Sequence, residues 1–316
     1  MRVLVPVPDH DVDVTEVAVP GKLRTGAGHE VVFATERAGV VPEADPLLLD
    51  GVVLGQLGAA PEAKAFYREL AASPAFAATE AWIDLDVVRY DALLLPGGHA
   101  PRMRQYLGSP VLQLRVAEFW ALERPVAAIC HGVLVLARAT DEAGRSLLAK
   151  RRTTCLPKYL ERSAFYATAW RRGRYYRTYP AYVEDEVRAA LEDPDRQFDR
   201  GPRMLPRRGT RDDHRRAFVV EDGRYVSARW PGDAYLFAER FAALLDASGA
   251  PLGLIVVGVD ASEPARQALA WALREAALRG DPVEVVGAWS FLDQGALTGR
   301  EFDPAFDEAD ADAALA

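Results

Sequence analysis

A short apolar run that ends in a cysteine limits the fold of this chain more than any other feature of the sequence. Residues 125–129 are apolar, and Cys130, His131 and Gly132 separate them from residues 133–137, which are apolar with helical character. This order predicts a buried strand, a sharp turn and a helix, with the thiol at the apex as in a nucleophile elbow. The helix dipole favours a thiolate, the form that attacks carbonyl carbon, so we expect a depressed pKa for Cys130. A buried structural cysteine is the alternative interpretation.

A second apolar segment runs into paired glycines. Residues 91–95 are mostly apolar and lead through Pro96 into Gly97, Gly98 and His99. Glycines allow a backbone to approach a ligand closely and to present its N–H groups. This turn and the Cys130 turn are therefore expected to build one pocket.

Short apolar strands alternate with amphipathic helical stretches along the first part of the chain. This alternation is typical of a parallel sheet with helices on both faces. The predicted fold class is α/β, a flavodoxin-like three-layer sandwich with a mostly parallel sheet. The expected strands are residues 3–7, 31–34, 92–95 and 126–129, and the expected helices include residues 62–72 and 111–122. Pro20 predicts a kink or a late start in the helix that holds Glu16, which would leave Glu16 at an irregular position.

The two turns together resemble the PfpI and class I glutamine-amidotransferase-like superfamily. Its members carry a Gly-Gly turn after one strand and an Ala-Ile-Cys-His-Gly turn after a later one, matched here by Gly97 with Gly98 and by residues 128–132. Glu16 stands where that superfamily places a glutamate touching the nucleophilic sulfur. The resemblance covers about residues 1–246 and extends to the branch of heat-shock chaperones with glyoxalase III activity.

The resemblance implies roles for four side chains. Cys130 would be the nucleophile, adding to an aldehyde to give a hemithioacetal. His131 would be the proton shuttle, unless its ring only caps a backbone carbonyl. Glu16 would stabilise the thiolate and relay a proton, or would be an ordinary carboxylate at a helix start. Glu161 is the candidate third acid of the site, and a neighbouring subunit is the alternative source of that acid.

The glycine turn is the candidate oxyanion and substrate-binding region. Backbone N–H groups of Gly98 and His131 would stabilise a developing alkoxide, with Gly97 in the same turn. His99 would line the pocket or simply end the loop. The spacing of His, Cys and carboxylate residues does not match a zinc site, so no metal is expected.

These roles imply a glutathione-independent glyoxalase III or deglycase-like enzyme. It would convert 2-oxoaldehydes such as methylglyoxal to hydroxy acids in stress protection. The expected partners are a small-molecule aldehyde substrate and a second copy of the chain in a homodimer. Amide or peptide hydrolysis by the same thiol is the alternative activity, because a fold does not fix its chemistry. A stress holdase or redox sensor, in which Cys130 is oxidised to a sulfinate, is the non-enzymatic alternative.

Residues 153–206 interleave tyrosines with arginines. Such interleaving can serve single-stranded nucleic acid, but tyrosines serve equally well as walls of pockets. We expect an insertion that forms a wall or lid beside Cys130. The arginines between residues 203 and 216 are expected on a solvated loop, with anion binding the less favoured use. The net charge of −8 also argues against a nucleic-acid binder.

The last part of the chain reads as a second unit. A hairpin at Asp222 and Gly223 and a helix ending near Leu245 would complete the first domain at residue 246. Residues 246–251 have linker composition, and the second unit spans residues 252–316. It resembles the opening of a universal stress protein domain, in which the residue matching Asp260 contacts ATP. The glycine-rich phosphate segment of that domain has no match here, so a truncated unit without ATP or another cofactor is expected.

The composition fits a cytoplasmic protein. The chain has 316 residues and two cysteines, Cys130 and Cys155, which give no disulfide framework. Residues 1–7 form a short strand without the cleavage region of a signal peptide. No apolar run approaches the roughly 20 residues that span a bilayer. A membrane is therefore not an expected partner.

Overall fold

Two β-sheets organise the structure. It is a computed structural model that describes residues 1–26, 28–54, 56–203, 208–249, 255–260, 262–279 and 283–287. The chain divides into two units, Met1–Ala247 and Ser248–Ala316. The described residues of the first unit form a seven-stranded sheet, and those of the second form a two-stranded sheet.

The larger sheet has the strand order β3-β2-β1-β4-β5-β7-β6. Its strand pairs are parallel except for the β6–β7 hairpin, which is antiparallel. The predicted α/β class with a mostly parallel sheet is therefore confirmed. The strands are β1 (Arg2–Pro6), β2 (Glu30–Thr35), β3 (Glu80–Ala81), β4 (Ala92–Leu95), β5 (Val126–Ile129), β6 (Val219–Asp222) and β7 (Tyr225–Ala228).

The carboxyl ends of β4 and β5 lie side by side. Leu95 pairs with Ala128, so the glycine turn after β4 and the Cys130 turn after β5 leave the sheet at the same edge. Every residue of both strands is buried, which explains why each reads as an uninterrupted apolar run. Open parallel α/β sheets bind ligands at this edge, outside the carboxyl ends of their strands.

Helices cover both faces of this sheet. One apolar cluster includes Leu112 and Phe119, and a second includes Phe237 and Phe241. The helices of this unit are α1 (Val14–Gly26), α2 (Pro46–Asp50), α3 (Pro61–Ala71), α4 (Pro74–Ala77), α5 (Arg104–Leu107), α6 (Pro110–Ala121), α7 (Val133–Arg138), α8 (Lys158–Arg172), α9 (Val183–Ala189), α10 (Pro194–Gln197) and α11 (Ala234–Gly249).

Helix α1 corrects the expectation attached to Pro20. The helix runs without a break from Val14 to Gly26 with Pro20 inside it, so Glu16 lies in a regular first turn. Pro20 has no N–H to donate to the carbonyl of Glu16, four residues earlier. The helix therefore lacks the internal hydrogen bond that the backbone carbonyl of Glu16 would otherwise accept.

The second unit contains β8 (Ile255–Val259), α12 (Glu263–Arg279) and β9 (Val283–Gly287). The two strands pair in parallel over five positions, with α12 as the crossover. Asp260 directly follows β8 and is exposed. The rest of the expected unit, including the residues after 287, lies outside the described residues. None of the helices in the described ranges combines the length and apolar character needed to cross a membrane.

Candidate active site

Cys130 occupies a strained turn between β5 and α7. Its φ is 58°, in the left-handed region that residues with a side chain rarely adopt. Gly132 explains how the turn fits, because a Cβ there would lie 2.3 Å from the carbonyl oxygen of Leu95. The turn is thus pressed onto the end of β4, and the Cys130 side chain is only 3% exposed.

Glu16 reaches this turn from the first turn of α1. Asp13 fixes the helix start, since its Oδ1 accepts hydrogen bonds from the N–H groups of Thr15 at 2.8 Å and Glu16 at 3.0 Å. The Glu16 Oε2 atom accepts a hydrogen bond from the N–H of Gly97 at 2.8 Å. Glu16 is fully buried at 0% exposure.

The Glu16 carboxyl lies beside the Cys130 thiol, and its Oε1 atom is buried without a hydrogen-bond partner in the described chain. Burial raises the pKa of Glu16 well above its ordinary value, and the negative charge of Asp13 raises it further. Burial also raises the pKa of Cys130, with the Glu16 charge as the second cause. The expected depression of the Cys130 pKa is therefore wrong. The helix terminus acts on this thiol, but loss of contact with water outweighs it, so thiolate formation needs a base.

His131 is placed to be that base. Its Nδ1 lies 3.4 Å from the Cys130 Sγ, and its Nε2 lies 3.4 Å from the Thr178 Oγ1. The Thr178 hydroxyl donates its proton to the carbonyl oxygen of His99 at 2.6 Å, so it accepts from Nε2–H of His131. This arrangement leaves Nδ1 unprotonated and facing the thiol.

Burial keeps the His131 ring neutral. It lowers the pKa of His131 to about 3, helped by the nearby charges of His99 and Arg138. An imidazole that is neutral near pH 7 is free to accept a proton from sulfur. Within the described residues, no carboxylate contacts this ring.

Glu161 lies elsewhere, in the first turn of α8, and its carboxyl group contacts the start of α9. Its Oε2 accepts a hydrogen bond from the N–H of Val183 at 3.1 Å, and its Oε1 lies 3.9 Å from the Nε of Arg177. Burial raises the pKa of Glu161 to about 7. Glu161 therefore caps the start of α9 and lies near Arg177. The structure does not bring Glu161 to His131.

The glycine turn faces the cysteine from the other side. The Gly97 N–H is used by Glu16, and a Gly97 Cβ would lie 2.7 Å from the His131 nitrogen. Gly98 has φ 149°, and its Cβ would lie 2.9 Å from the sulfur of Met103. The backbone N–H of His131 donates towards the Cys130 sulfur, which lowers the pKa of that thiol. The Gly98 N–H stays the predicted oxyanion donor.

His99 forms a wall with the tyrosines of the insertion. Its ring stacks on Tyr176 at 4.2 Å and meets the edge of Tyr175 at 4.7 Å. The His99 Nε2 is buried without a hydrogen-bond partner in the described chain, and burial lowers the pKa of His99 to about 3. The predicted wall beside the site is thus present, built on His99.

Three contributors to the site were missed at the level of sequence: Asp13, Thr178 and Arg208. Arg208 is the clearest correction, since it was expected on a solvated loop. It is half-buried and its Nη1 donates to the Thr15 Oγ1 at 3.2 Å. Its charge lowers the pKa of both Asp13 and Glu16. Nothing in the local sequence distinguishes Arg208 from the arginines around it.

No metal centre accompanies these residues. Among the side chains that the structure describes, no three His, Cys, Asp or Glu residues group closely enough to hold a metal ion. The chemistry available is therefore that of a thiol, an imidazole, a carboxyl group and backbone N–H donors. Together these groups suit nucleophilic attack on a carbonyl carbon with proton transfer.

Comparison with known proteins agrees with this arrangement. Residues 7–202, more than half of the chain, match the model described as ThiJ/PfpI family-like. The chain belongs to the ThiJ/PfpI family. The predicted superfamily is confirmed. Residues 253–316 of this ThiJ/PfpI chain match the universal stress protein family model, as the resemblance also predicted.

Relatives of this ThiJ/PfpI protein occur in archaea and fungi. A deglycase of Pyrococcus abyssi is 26% identical over 78% of this chain and 99% of its own length. An uncharacterised protein of Schizosaccharomyces pombe is 29% identical over 57% of this chain and 67% of its own.

Solved structures show the same ThiJ/PfpI fold. Glyoxalase III from Candida albicans superposes with a TM-score of 0.56 at 21% identity, covering 77% of this chain and 97% of that one. The rapid encystment protein of Francisella tularensis superposes with a TM-score of 0.57 at 17% identity, covering 77% and 98%. At these identities the likeness establishes the fold.

Proposed function

We propose that this protein is a cysteine-dependent enzyme of the glyoxalase III or deglycase kind. Its substrate class is the reactive 2-oxoaldehydes, such as methylglyoxal, and its product is a 2-hydroxy acid. The observation that carries the proposal is the buried cluster in which Cys130 contacts both the Glu16 carboxyl and the Nδ1 of His131. The deglycase name of a relative and the glyoxalase III name of a structural neighbour support it.

The first step joins sulfur to the aldehyde carbon, C1. The Cys130 thiol loses its proton to Nδ1 of His131 as the S–C1 bond forms. The aldehyde oxygen takes a proton from the Glu16 carboxyl, whose pKa burial raises well above its ordinary value. The Gly98 N–H stabilises negative charge on that oxygen during the attack. The product is a neutral hemithioacetal beside a Glu16 carboxylate and a His131 imidazolium.

The next steps move hydrogen from C1 to C2. The Glu16 carboxylate removes the proton from C1 while His131 protonates the C2 oxygen, which gives an enediol. Glu16 then returns the proton at C2 as the C1 hydroxyl proton leaves to His131, and a thioester results. Water adds to C1 and breaks the S–C1 bond, restoring Cys130 and both proton carriers. The net change adds one water to the 2-oxoaldehyde without an external oxidant or reductant.

The enclosure of the thiol favours a small substrate. Cys130 is 3% exposed, with the His131 ring and the Glu16 carboxyl from the start of α1 lying against it. A two- or three-carbon aldehyde needs less space around the sulfur than a peptide segment does. This geometry supports the glyoxalase activity over peptide hydrolysis.

Conversion of methylglyoxal tests the proposal. The protein is incubated with methylglyoxal in the absence of glutathione, and lactate is followed by proton NMR. Lactate should form with the native protein and not with Cys130→Ser, whose melting temperature should match. Absence of lactate from the native protein, with hydrolysis of a dipeptide amide instead, would replace the proposal by the hydrolase alternative.

A holdase activity is the second candidate, and one surface favours it. Tyr166 and Trp170 lie four positions apart on α8 and are 70% and 71% exposed. Residues with this spacing share one helix face, so they form an apolar patch. If the patch binds unfolded chains, the native protein should suppress heat aggregation of citrate synthase and the Tyr166→Ser/Trp170→Ser variant should not. Equal suppression by both proteins would remove this candidate.

A further inference from the structure

A cavity of about 350 Å³ lies beside the tyrosine-rich insertion and is lined by four arginines. They are Arg104 from α5, Arg172 from the last turn of α8, and Arg174 and Arg177 from the segment that follows. Tyr175 forms an aromatic wall of the same cavity. Helix α5 and residues 172–177 thus contribute arginines to a single concave surface.

Backbone carbonyls hold three of these arginines in place. Arg104 donates through Nε to the carbonyl of Thr178 at 2.7 Å, and Arg172 donates through Nε to the carbonyl of Val52 at 2.5 Å. Arg177 donates to the carbonyl of Pro180. A carbonyl orients a guanidinium without cancelling its charge. The remaining N–H groups of Arg104 and Arg172 stay available to a ligand, whereas the Arg177 guanidinium also lies near Glu161 and over the Tyr182 ring.

Two buried carboxyl groups lie just outside the cavity lining: Asp45, which accepts from the Tyr175 hydroxyl, and Glu161, beside Arg177. Within the described part of the chain, no Asp or Glu is among its lining residues. The nearest ion pair is that of Arg177 with Glu161 at 3.9 Å, longer than a hydrogen bond. The Arg174 side chain is exposed and has no hydrogen bond or ion pair with another described group.

Four like charges converging on one cavity repel one another unless an anion is present. The C-terminal dipole of α8 accounts for a basic residue such as Arg172 in the last helical turn. It does not account for Arg174 and Arg177 beyond the helix end, or for Arg104 from α5, which line the same space. The convergence therefore points to a ligand, and forked guanidinium groups suit phosphate oxygens in particular.

We propose that this cavity binds a small organic phosphate that carries at least two negative charges. The four arginines hold the phosphate groups, and Tyr175 packs against the organic part. The volume falls within the usual range for small-molecule sites. Cys130, His131, Glu16 and Gly98 are not among its lining residues, so the site is distinct from the cysteine site.

The two sites nevertheless share a wall. The ring edge of Tyr175 meets His99, and the Tyr175 hydroxyl donates to Asp45. The carbonyl of Thr178 accepts from Arg104, while its hydroxyl lies against His131. Phosphate binding itself does not depend on the proposed aldehyde chemistry, so each can be tested without the other.

Isothermal titration with pyrophosphate, glycerol 3-phosphate and neutral glycerol tests the site at low ionic strength. Pyrophosphate and glycerol 3-phosphate should bind with one-to-one stoichiometry, and glycerol should not bind. Arg174→Ala should weaken binding of both anions at least tenfold. It should also fold normally, because Arg174 supports no other described group. Arg172→Ala should act in the same direction.

Arg171→Ala is the matched control, because Arg171 is a neighbouring exposed arginine that does not line the cavity. It should leave binding unchanged, as should Cys130→Ser. No binding of either anion would overturn the proposal, and so would equal losses in Arg171→Ala and Arg174→Ala. Tighter binding of an eight-nucleotide single-stranded DNA than of pyrophosphate, lost in Arg174→Ala, would replace the small-molecule ligand by a nucleic acid.

Discussion

The Glu16 carboxyl group accepts a hydrogen bond of 2.8 Å from the backbone N–H of Gly97, 81 positions further along the chain. This bond crosses from the first turn of α1 to the turn after β4 and holds one carboxyl oxygen in place. The same carboxyl group meets the Cys130 sulfur. A single side chain therefore ties together the three segments that build the site.

Replacement of Glu16 by glutamine tests its proton relay. Glu16→Gln retains an acceptor for the Gly97 N–H but removes the titratable proton. We expect turnover of methylglyoxal to fall about 10²-fold or more, the usual scale for a positioned acid or base. Thermal melting should show that the protein stays folded. Full activity of Glu16→Gln beside an inactive Cys130→Ser would leave His131 as the only proton carrier.

Glu161→Gln should change stability more than activity. Burial raises the pKa of Glu161 from 4.5 to about 7, so the folded state holds the proton more tightly than the unfolded state. Glu161 thus contributes stability that is complete below about pH 4.5 and is lost as the pH rises through 7.

The difference in unfolding free energy between the native protein and Glu161→Gln, followed against pH, isolates this contribution. Urea unfolding should show the native protein losing on the order of 2–3 kcal/mol relative to the variant between pH 4.5 and 7. Turnover should fall less than in Glu16→Gln, because Glu161 caps α9 and contacts Arg177. A pH-independent difference, or a loss of turnover equal to that of Glu16→Gln, would place Glu161 in the chemistry instead.

Both cysteines should alkylate slowly in the folded protein. Burial raises the pKa of Cys130 and of Cys155 well above the ordinary value, so few thiolates exist at pH 7. Cys130 is 3% exposed, whereas Cys155 is fully enclosed at 0% exposure. Iodoacetamide with peptide mapping should therefore label Cys130 before Cys155, with a rate that still rises above pH 9.

Glu16→Gln also changes the labelling of Cys130. The variant lacks the carboxyl group whose negative charge, once Glu16 is ionised, raises the Cys130 pKa. Its Cys130 should therefore react faster than that of the native protein in the alkaline range where Glu16 is ionised. Cys155 provides the internal control, since Glu16 does not act on it. Rapid labelling of native Cys130 at pH 7 would show instead that its pKa is depressed, as the adjacent helix terminus predicts.

The strands around the site could be predicted because burial on both faces makes each an unbroken apolar run. Residues 92–95 and 126–129 were expected as strands, and β4 and β5 have those bounds. The position of Glu16 beside the thiol came from resemblance to a family, since no local pattern links residue 16 to residue 130.

The remaining parts of the site depend on contacts between distant segments. Thr178 meets His131 across 47 positions, and Arg208 meets Thr15 across 193. The Cys130 pKa was mispredicted for a related reason. A sequence shows the adjacent helix start, but only the packed structure shows how completely the thiol is removed from water.

Gly97→Ala should disrupt the site through backbone contacts. An added Cβ would lie 2.7 Å from the His131 nitrogen, 2.7 Å from the Ile129 carbonyl oxygen and 2.8 Å from the Glu16 Oε2. Two of these three atoms are backbone atoms of the strained cysteine turn and cannot rotate away. We expect a lower melting temperature and at least a tenfold loss of methylglyoxal turnover.

Gly21→Ala is the matched control, because Gly21 lies within α1 and a Cβ there meets nothing within 4 Å. It should leave turnover unchanged and stabilise the protein by about 0.5–1 kcal/mol, the usual gain for alanine over glycine inside a helix. If both variants have the same melting temperature and the same turnover of methylglyoxal, the close approach of Gly97 to the cysteine turn is not what holds the site together.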